Sequence, residues 1–175
     1  MKMNVKDYIR TIPDFPVKGI MFRDVTTVIS DADGFKLAVD EMIKCLDGVE
    51  FDAVAGIESR GFIFGAPIAY MLGKPFVPIR KKGKLPHKTV EESYALEYGT
   101  ATIEMHEDAL EKGDRVVIID DLIATGGSAK AAVRLVEKLG GEVKKLVFLI
   151  ELPDLRGREA LEGYEVATVT QFEGE

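Results

Sequence analysis

The fold is decided by one stretch, Val116-Val117-Ile118-Ile119-Asp120-Asp121-Leu122-Ile123-Ala124-Thr125-Gly126-Gly127-Ser128. Its first four residues are β-branched, which predicts a buried strand. Two carboxylates and a glycine-rich turn follow, and Ala131, Leu135 and Leu139 then recur at helical spacing. A buried strand that runs through polar residues into a helix is typical of a ligand-binding loop in a parallel α/β sheet.

The turn Ala124–Ser128 has the composition of a phosphate site. Its small residues let backbone N–H groups converge on one point, and its Thr and Ser add hydroxyl donors at a helix N-terminus whose dipole favours an anion. When ionised, Asp120 and Asp121 only accept hydrogen bonds, so they suit a pair of sugar hydroxyls. The stretch therefore predicts a ribose 5-phosphate site, and the alternative is a polar strand-to-helix turn with an Asp cap.

Working outward, apolar segments alternate between strand and helix patterns along the chain. This alternation predicts an α/β protein with a parallel sheet, helices on both faces, and ligands beyond the carboxyl ends of the strands. Between residues 79 and 100 we expect a polar connection without periodicity. A half-exposed strand follows, in which Ala101, Ile103 and Met105 alternate with polar residues. The remaining predicted elements are a helix over about 35–46, a strand over 53–57, a helix over 62–72, and strands over 76–79 and 146–150.

Composition and charge exclude several classes of protein. The chain has 175 residues, 46% hydrophobic and 30% charged, which predicts one globular domain over 1–175. With 23 Lys and Arg against 30 Asp and Glu, the net charge is −7, so we expect no nucleic-acid partner. An anionic ligand must then be held by a local cluster of cations or backbone amides.

The cysteine content and the longest uncharged stretch bear on the compartment. Cys45 is the single cysteine, which leaves no intrachain disulfide or thiolate metal cage and favours a reducing cytoplasm. The longest uncharged stretch, Gly61 to Gly73, is shorter than the roughly 18 residues of a membrane span. We expect no export signal and no membrane partner.

Two further segments carry candidate anion ligands. Glu58-Ser59-Arg60-Gly61 follows a predicted strand, so Arg60 is a candidate anion ligand, although a single Arg beside a Gly is more often a surface side chain. The run Arg80-Lys81-Lys82-Gly83-Lys84 also follows a strand and has the charge to bind pyrophosphate. Its alternative is a solvated basic face.

These motifs together resemble a known family. The stretch Val116–Ser128 is similar to the phosphoribosyl pyrophosphate (PRPP) signature of the type I phosphoribosyltransferases: four apolar residues, two acidic ones, and Thr-Gly-Gly after a spacer. Four other segments resemble patterns of the adenine phosphoribosyltransferases, and the resemblance runs from Phe15-Pro16 to Gly157-Arg158. Those segments are Phe22-Arg23-Asp24, Glu58-Ser59-Arg60-Gly61-Phe62, Arg80-Lys81-Lys82-Gly83-Lys84-Leu85-Pro86 and Leu96-Glu97-Tyr98-Gly99.

The resemblance implies a fold and an activity. The fold is a central, mostly parallel sheet flanked by helices, with a small hood from about residues 1–30 over a purine site and a mobile catalytic loop over 86–99. The activity is a purine-salvage glycosyl transfer, in which the 5-phosphoribosyl group of PRPP moves to N9 of adenine and gives AMP and pyrophosphate. Magnesium is implied through the substrate phosphates and water, without a direct protein ligand. A homodimer is implied too. We expect the exposed segment Arg80 to Lys84 to need support from a neighbouring chain, which agrees with a dimer.

The resemblance also assigns roles to residues. Asp120 and Asp121 take the ribose hydroxyls and Ala124–Ser128 the 5-phosphate. Glu97 is the candidate acid/base, with Arg60 as a second catalytic residue, although Glu97 alone would be interpreted as a surface residue of a strand. The pyrophosphate set is Glu58, Ser59, Arg60, Gly61, Arg80, Lys81 and Lys84, with a cis non-proline peptide in its first four residues.

For the purine, the resemblance implies a site between Phe22 and Leu152, with main-chain groups of Met21 and Arg23 at its edge. By itself Phe22 would be interpreted as a core residue. Main-chain donors and acceptors in fixed order would favour a 6-amino over a 6-oxo purine. Two alternatives stay open: a 6-oxopurine phosphoribosyltransferase, and a regulator that senses PRPP or purine, for which the chain has neither an added binding module nor a basic face.

Overall fold

The computed structural model describes residues 2–174. Its helices and strands form an N-terminal segment, a central sheet and the helices that flank the sheet. In chain order they are α1 (Val5–Tyr8), β1 (Arg10–Pro13), β2 (Met21–Asp24), α2 (Thr26–Ile29), α3 (Ala32–Lys44), β3 (Ala53–Ile57), α4 (Arg60–Leu72), β4 (Phe76–Lys81), β5 (Thr89–Ala95), β6 (Thr100–His106), β7 (Arg115–Ile123), α5 (Gly127–Lys138), β8 (Glu142–Glu151), α6 (Gly157–Ala160) and β9 (Val166–Gln171).

Seven strands form the central sheet in the order β5-β6-β4-β3-β7-β8-β9. The five strands β4, β3, β7, β8 and β9 run parallel, while β6 is antiparallel to β4 and β5 is antiparallel to β6. The predicted α/β fold with a mostly parallel sheet is therefore confirmed. The parallel strands end at one edge, which is where such sheets bind ligands.

Both faces of the sheet are covered because β7 turns alternate side chains to opposite sides. Val117 and Ile119 pack in a core with α3 and α4. Val116 and Ile118 pack on the other face with α5. All four are 0% exposed, which explains why this strand is continuously apolar.

The N-terminal segment forms a separate two-stranded sheet in which β1 pairs antiparallel with β2. Asp24, 7% exposed, anchors this hairpin: its Oδ2 lies 2.5 Å from the Arg10 Nη2, and its Oδ1 accepts the Thr26 N–H at 2.9 Å. The tip carries exposed apolar side chains at Phe15, Val17 and Ile20. This small sheet is the segment expected to form a hood.

The structure corrects several local expectations. The helix predicted over 35–46 covers Ala32–Lys44, because Asp31 caps it by accepting from the N–H groups of Asp33 and Gly34. Part of the connection expected to lack periodicity is a strand, Thr89–Ala95, whose partner β6 supplies its hydrogen bonds. Glu104 falls on the polar side of the predicted alternation, yet it is only 3% exposed. Within residues 2–174, every helix is too short or too polar to cross a bilayer.

Candidate active site

A crevice of about 900 Å³ opens at the carboxyl ends of β3, β4 and β7. Parallel strands bring their carboxyl ends to one edge, so three loops distant in sequence meet there. Many of the predicted site residues line the crevice together. They are Glu58, Ser59, Arg60, Lys81, Glu97, Asp120, Asp121, Ala124, Thr125, Gly126, Gly127 and Ser128.

The turn after β7 forms one wall, and its glycines are required by geometry. Gly126 has φ +84°, and a Cβ there would lie 2.5 Å from the Gly157 carbonyl oxygen. A Cβ on Gly157 would likewise lie 2.5 Å from the Ala124 carbonyl oxygen. Only glycines allow this contact between the turn and α6. The N-terminus of α5, with its unpaired N–H groups, is thereby directed into the crevice.

The two acidic residues at the end of β7 have different surroundings. The Asp120 carboxylate accepts the Asp121 N–H at 2.8 Å, and burial, followed by the nearby Asp121 charge, raises the pKa of Asp120 well above its usual range. The Asp121 Oδ2 lies 2.5 Å from the Arg60 Nε. Asp121 is therefore paired with Arg60 in this structure, whereas burial opposes the ionised form of Asp120.

The loop between β3 and α4 faces the acidic pair. Its Glu58–Ser59 peptide bond is cis, as the resemblance implied. Gly61 packs directly on β7, where a Cβ would lie 2.9 Å from the Ile119 carbonyl oxygen. The charge of Asp121 raises the pKa of Arg60 against the opposing effect of burial. The guanidinium thus stays charged at the crevice surface, with its side chain 52% exposed.

The basic run is attached to the same loop through Glu58. That carboxylate accepts the Lys81 N–H and lies 3.3 Å from the Arg80 Nη2. Lys81 lines the crevice, whereas Arg80, Lys84 and Gly61 are not among its lining residues. Of the predicted pyrophosphate set, the structure brings Glu58, Ser59, Arg60 and Lys81 to the surface of the crevice.

The hairpin of β5 and β6 supplies the opposite wall. Tyr94, Ala95 and Leu96 line the crevice beside Glu97, and only Glu97 among them was predicted. Half-buried and exposed residues alternate along β5, and the spacing of Val90 and Tyr94 on one side of this strand was the sequence signal that could have predicted Tyr94. Sequence reasoning also missed the apolar lining residues Ile57, Leu122, Ile123 and Ala129.

The four residues predicted to bind the purine lie outside the lining of this crevice. Phe22 is half-buried and contacts Phe15 edge-to-face, with 5.1 Å between ring centroids. The Leu152 N–H donates to the Ile123 carbonyl at 3.1 Å, which attaches it to the end of β7. Met21 and Arg23 flank Phe22 on β2, and the Arg23 side chain is held by Thr11 at 2.7 Å.

Comparisons with known proteins agree with this geometry. The family model of the phosphoribosyl transferase domain matches residues 26–171. The fold and the crevice are thus those of a phosphoribosyltransferase.

Individual relatives show which family of phosphoribosyltransferases the chain belongs to. The adenine phosphoribosyltransferase of Agathobacter rectalis is 67% identical over 170 residues, which are 97% of this chain and 98% of that protein. The crystal structure of the adenine phosphoribosyltransferase from Thermoanaerobacter pseudethanolicus superposes with a TM-score of 0.93 at 52% identity, covering 96% of this chain and 98% of the other. The chain belongs to the adenine phosphoribosyltransferase family, whose members are pentosyl-transferring enzymes.

A liganded neighbour adds context. The adenine phosphoribosyltransferase of Saccharomyces cerevisiae has a TM-score of 0.89 at 38% identity, with 94% of this chain and 96% of that chain covered. It was crystallised with adenine and an imino-altritol bisphosphate.

Proposed function

We propose that this chain transfers the 5-phosphoribosyl group of PRPP to N9 of adenine in the crevice, forming AMP and pyrophosphate. The observation that carries the proposal is the acidic pair of β7 followed by the glycine turn at the N-terminus of α5, in one crevice with Arg60 and Lys81. Hydroxyl acceptors and an anion site lie next to each other along one strand and turn. This order matches that of a sugar and its 5-phosphate.

The parts of PRPP fit successive parts of the crevice. The 5-phosphate accepts N–H groups of Ala124–Ser128, and the ribose hydroxyls donate to Asp120 and Asp121. The pyrophosphate then extends toward Arg60 and Lys81, which are cations at the crevice surface. Glu58 contributes by holding the Lys81 backbone. Arg80 and Lys84, on the same basic run as Lys81, supply further positive charge.

Adenine binds between Phe22 and Leu152, with main-chain groups of Met21 and Arg23 along its edge. In the reaction, the bond from N9 to C1 of PRPP forms while the bond from C1 to the pyrophosphate oxygen breaks, and its electron pair leaves with pyrophosphate. Glu97 accepts the N9 proton. The exposed position of Glu97 on the hairpin supports this role, because the side chain can reach a substrate that lies in the crevice.

Magnesium would be supplied to the crevice together with PRPP. Mg²⁺ prefers oxygen ligands and retains several waters, and it is commonly held by substrate phosphates. Two of the carboxylates that line the crevice are already engaged: Asp121 by Arg60, and Glu58 by Lys81 and Arg80. This donor set fits an ion held by pyrophosphate oxygens and water. When bound, the ion neutralises charge that develops on the leaving pyrophosphate.

The chain works as a homodimer in the cytoplasm. Tyr70 and Met71 at the end of α4 are 88% and 57% exposed, which supports an apolar contact with a second copy. The segment Arg80 to Lys84 does not support the homodimer, because carboxylates of the same chain already hold it. The free thiol of Cys45 supports a reducing compartment.

A steady-state assay tests the activity. With PRPP and Mg²⁺ supplied, adenine, hypoxanthine, guanine and xanthine are compared by kcat/KM. We expect adenine to be preferred, because fixed main-chain groups discriminate against a reversed donor and acceptor pattern. A higher kcat/KM for hypoxanthine or guanine would make the chain a 6-oxopurine enzyme.

A further inference from the structure

Glu104 on β6 is a buried carboxylate that the proposed chemistry does not use. It is 3% exposed and faces β4 and β5, opposite Arg80 in one strand register and Glu91 in the other. Its Oε1 accepts the N–H groups of Gly83 at 3.1 Å and Leu85 at 3.0 Å, and its Oε2 lies 3.3 Å from the Thr89 hydroxyl. One side chain therefore ties the loop after β4 to the first residue of β5.

These bonds complete the hydrogen bonding of a turn over residues 81–85, which we call the lysine turn. Gly83 has φ +87°, the left-handed conformation that glycine adopts readily in a tight turn. Each backbone N–H of the lysine turn has an acceptor: Glu58 for Lys81, the Thr102 carbonyl for Lys82, Glu104 for Gly83 and Leu85, and the Lys81 carbonyl for Lys84. The lysine turn thus presents the exposed side chains of Lys81 and Lys84 to an anion, while Lys82 pairs with Glu91 at 3.1 Å and the backbone donors bind the protein.

The charge of Glu104 is maintained by the same contacts. Burial would raise the pKa of this carboxyl, but hydrogen bonds from the Leu85 and Gly83 N–H groups and from Thr89 outweigh it and leave the pKa below its usual range. An ionised carboxylate beneath a pyrophosphate site repels the ligand. Its favourable contribution must therefore be geometric.

We propose that Glu104 is a positioning residue, which fixes the lysine turn relative to β5 so that the amines of Lys81 and Lys84 are directed at the pyrophosphate group of PRPP. The inference rests on the proposed function. It deepens that function by assigning the alignment of the pyrophosphate ligands to a residue that does not touch substrate. Loss of Glu104 removes the acceptor of the Gly83 and Leu85 N–H groups and the contact with Thr89, so the lysine turn is no longer held to β5.

The test compares the variants E104A and E104Q with the parent, measuring KM for PRPP, KM for adenine, and kcat. E104A removes all three bonds, so we expect the KM for PRPP to rise about ten- to a hundredfold. E104Q keeps an oxygen for both N–H groups and an NH₂ group for Thr89, but its neutral bonds are weaker than charge-assisted ones. For E104Q we expect a three- to tenfold rise, while kcat and the KM for adenine stay within about threefold in both variants.

Glu107 is the control, since it is an exposed carboxylate three residues further along the chain. E107A should match the parent in all three constants. A KM for PRPP within twofold of the parent in E104Q would overturn the proposal even if E104A failed to fold, and so would an equal rise in the KM for adenine. A parent protein that formed no AMP would instead contradict the proposed function, so the two failures are distinguishable.

Discussion

Single residues in the crevice balance one another's charge before any substrate enters. Arg60 is paired with Asp121 at 2.5 Å, and Glu58 is paired with Arg80 at 3.3 Å. A pyrophosphate group that binds Arg60 must share the guanidinium with Asp121. The guanidinium has five donors in a planar fork, so it can serve both partners. Asp121 therefore orients Arg60 in addition to the role proposed for it at the ribose.

The acidic pair gives the first prediction. Asp120→Asn and Asp121→Asn should each weaken PRPP binding by about 1.5 to 3 kcal/mol, because each removes a charged acceptor for a ribose hydroxyl. Asp120→Asn should fold normally, since an amide oxygen can still accept the Asp121 N–H. Calorimetric titration of PRPP measures the change. Unchanged affinity in both variants would remove the ribose role.

Glu97 carries the second prediction, which concerns the proton. Glu97→Gln keeps the size of the side chain and removes the proton acceptor, so the chemical step should slow by roughly 10² to 10⁴. PRPP affinity should change little. Single-turnover kinetics separate chemistry from product release. A parent-like single-turnover rate would make Glu97 a structural residue and leave catalysis to groups such as Arg60.

At the scale of elements, the turn before α5 depends on the short helix α6. Gly157→Ala would place a methyl group 2.5 Å from the Ala124 carbonyl oxygen, so the turn Ala124–Ser128 must shift. We expect a loss of about 1 to 3 kcal/mol in the free energy of unfolding, together with a higher KM for PRPP.

The matched control for Gly157→Ala is Gly48→Ala. Gly48 has φ +75° and open space around its Cα, so alanine there is strained without touching the crevice. Both variants should unfold at lower urea concentration, and only Gly157→Ala should change the KM for PRPP. An unchanged KM in Gly157→Ala would mean that α6 does not support the turn.

The strands β3 and β7 are joined at their starts by an ion pair that gives a prediction about pH. Arg115 donates to Asp52 from its backbone N–H at 2.8 Å and from its guanidinium at 3.0 Å, and these bonds lower the pKa of Asp52 to about 2. Because the folded-state pKa lies below the unfolded one, near 3.9, the pair stabilises the fold above about pH 4, and this contribution is lost as the pH falls toward 2.

The variant Asp52→Asn tests that linkage. It should lower the urea midpoint at pH 7 and reduce the steepness of the decline between pH 4 and pH 2, relative to the parent. Asp47→Asn is a suitable control, since it changes a carboxylate of the same region that lies outside the pair. Equal slopes for the parent and Asp52→Asn would show that the pair does not respond to pH in this range.

For the whole molecule, a net charge of −7 surrounds a crevice whose proposed anion ligands are local cations and backbone N–H groups. The long-range field therefore does not attract PRPP, and the binding energy must come from contacts inside the crevice. On this acidic surface, the exposed apolar end of α4, with Tyr70 and Met71, forms a distinct patch.

That patch leads to a prediction about assembly. We expect light scattering to give a mass of two chains, where one chain is 19.3 kDa. Tyr70→Lys together with Met71→Glu should shift the equilibrium toward one chain if α4 lies in the contact, since buried charges are costly at an interface. A monomeric mass for the parent at the concentration of the activity assay would contradict the homodimer.

The sequence by itself determined the local features of this protein. The β-branched run at Val116–Ile119 forms a buried strand and Thr125-Gly126-Gly127 opens a helix, because strand propensity and turn chemistry act between near neighbours. The order of these elements also predicted a mostly parallel sheet. The polar groups of the crevice were found for the same reason, since ligand loops follow strand ends in such sheets.

Only the tertiary structure decided which distant groups meet. The pairing of Arg60 with Asp121 joins residues 61 positions apart, and the strand Thr89–Ala95 exists because β6 offers it a partner. Glu104 follows a polar pattern and yet is buried, because the lysine turn folds back over it and supplies the donors that a buried carboxylate needs. Such contacts form only when segments that are distant in sequence come together across the sheet. Neither the local pattern of residues nor their propensities encodes that arrangement.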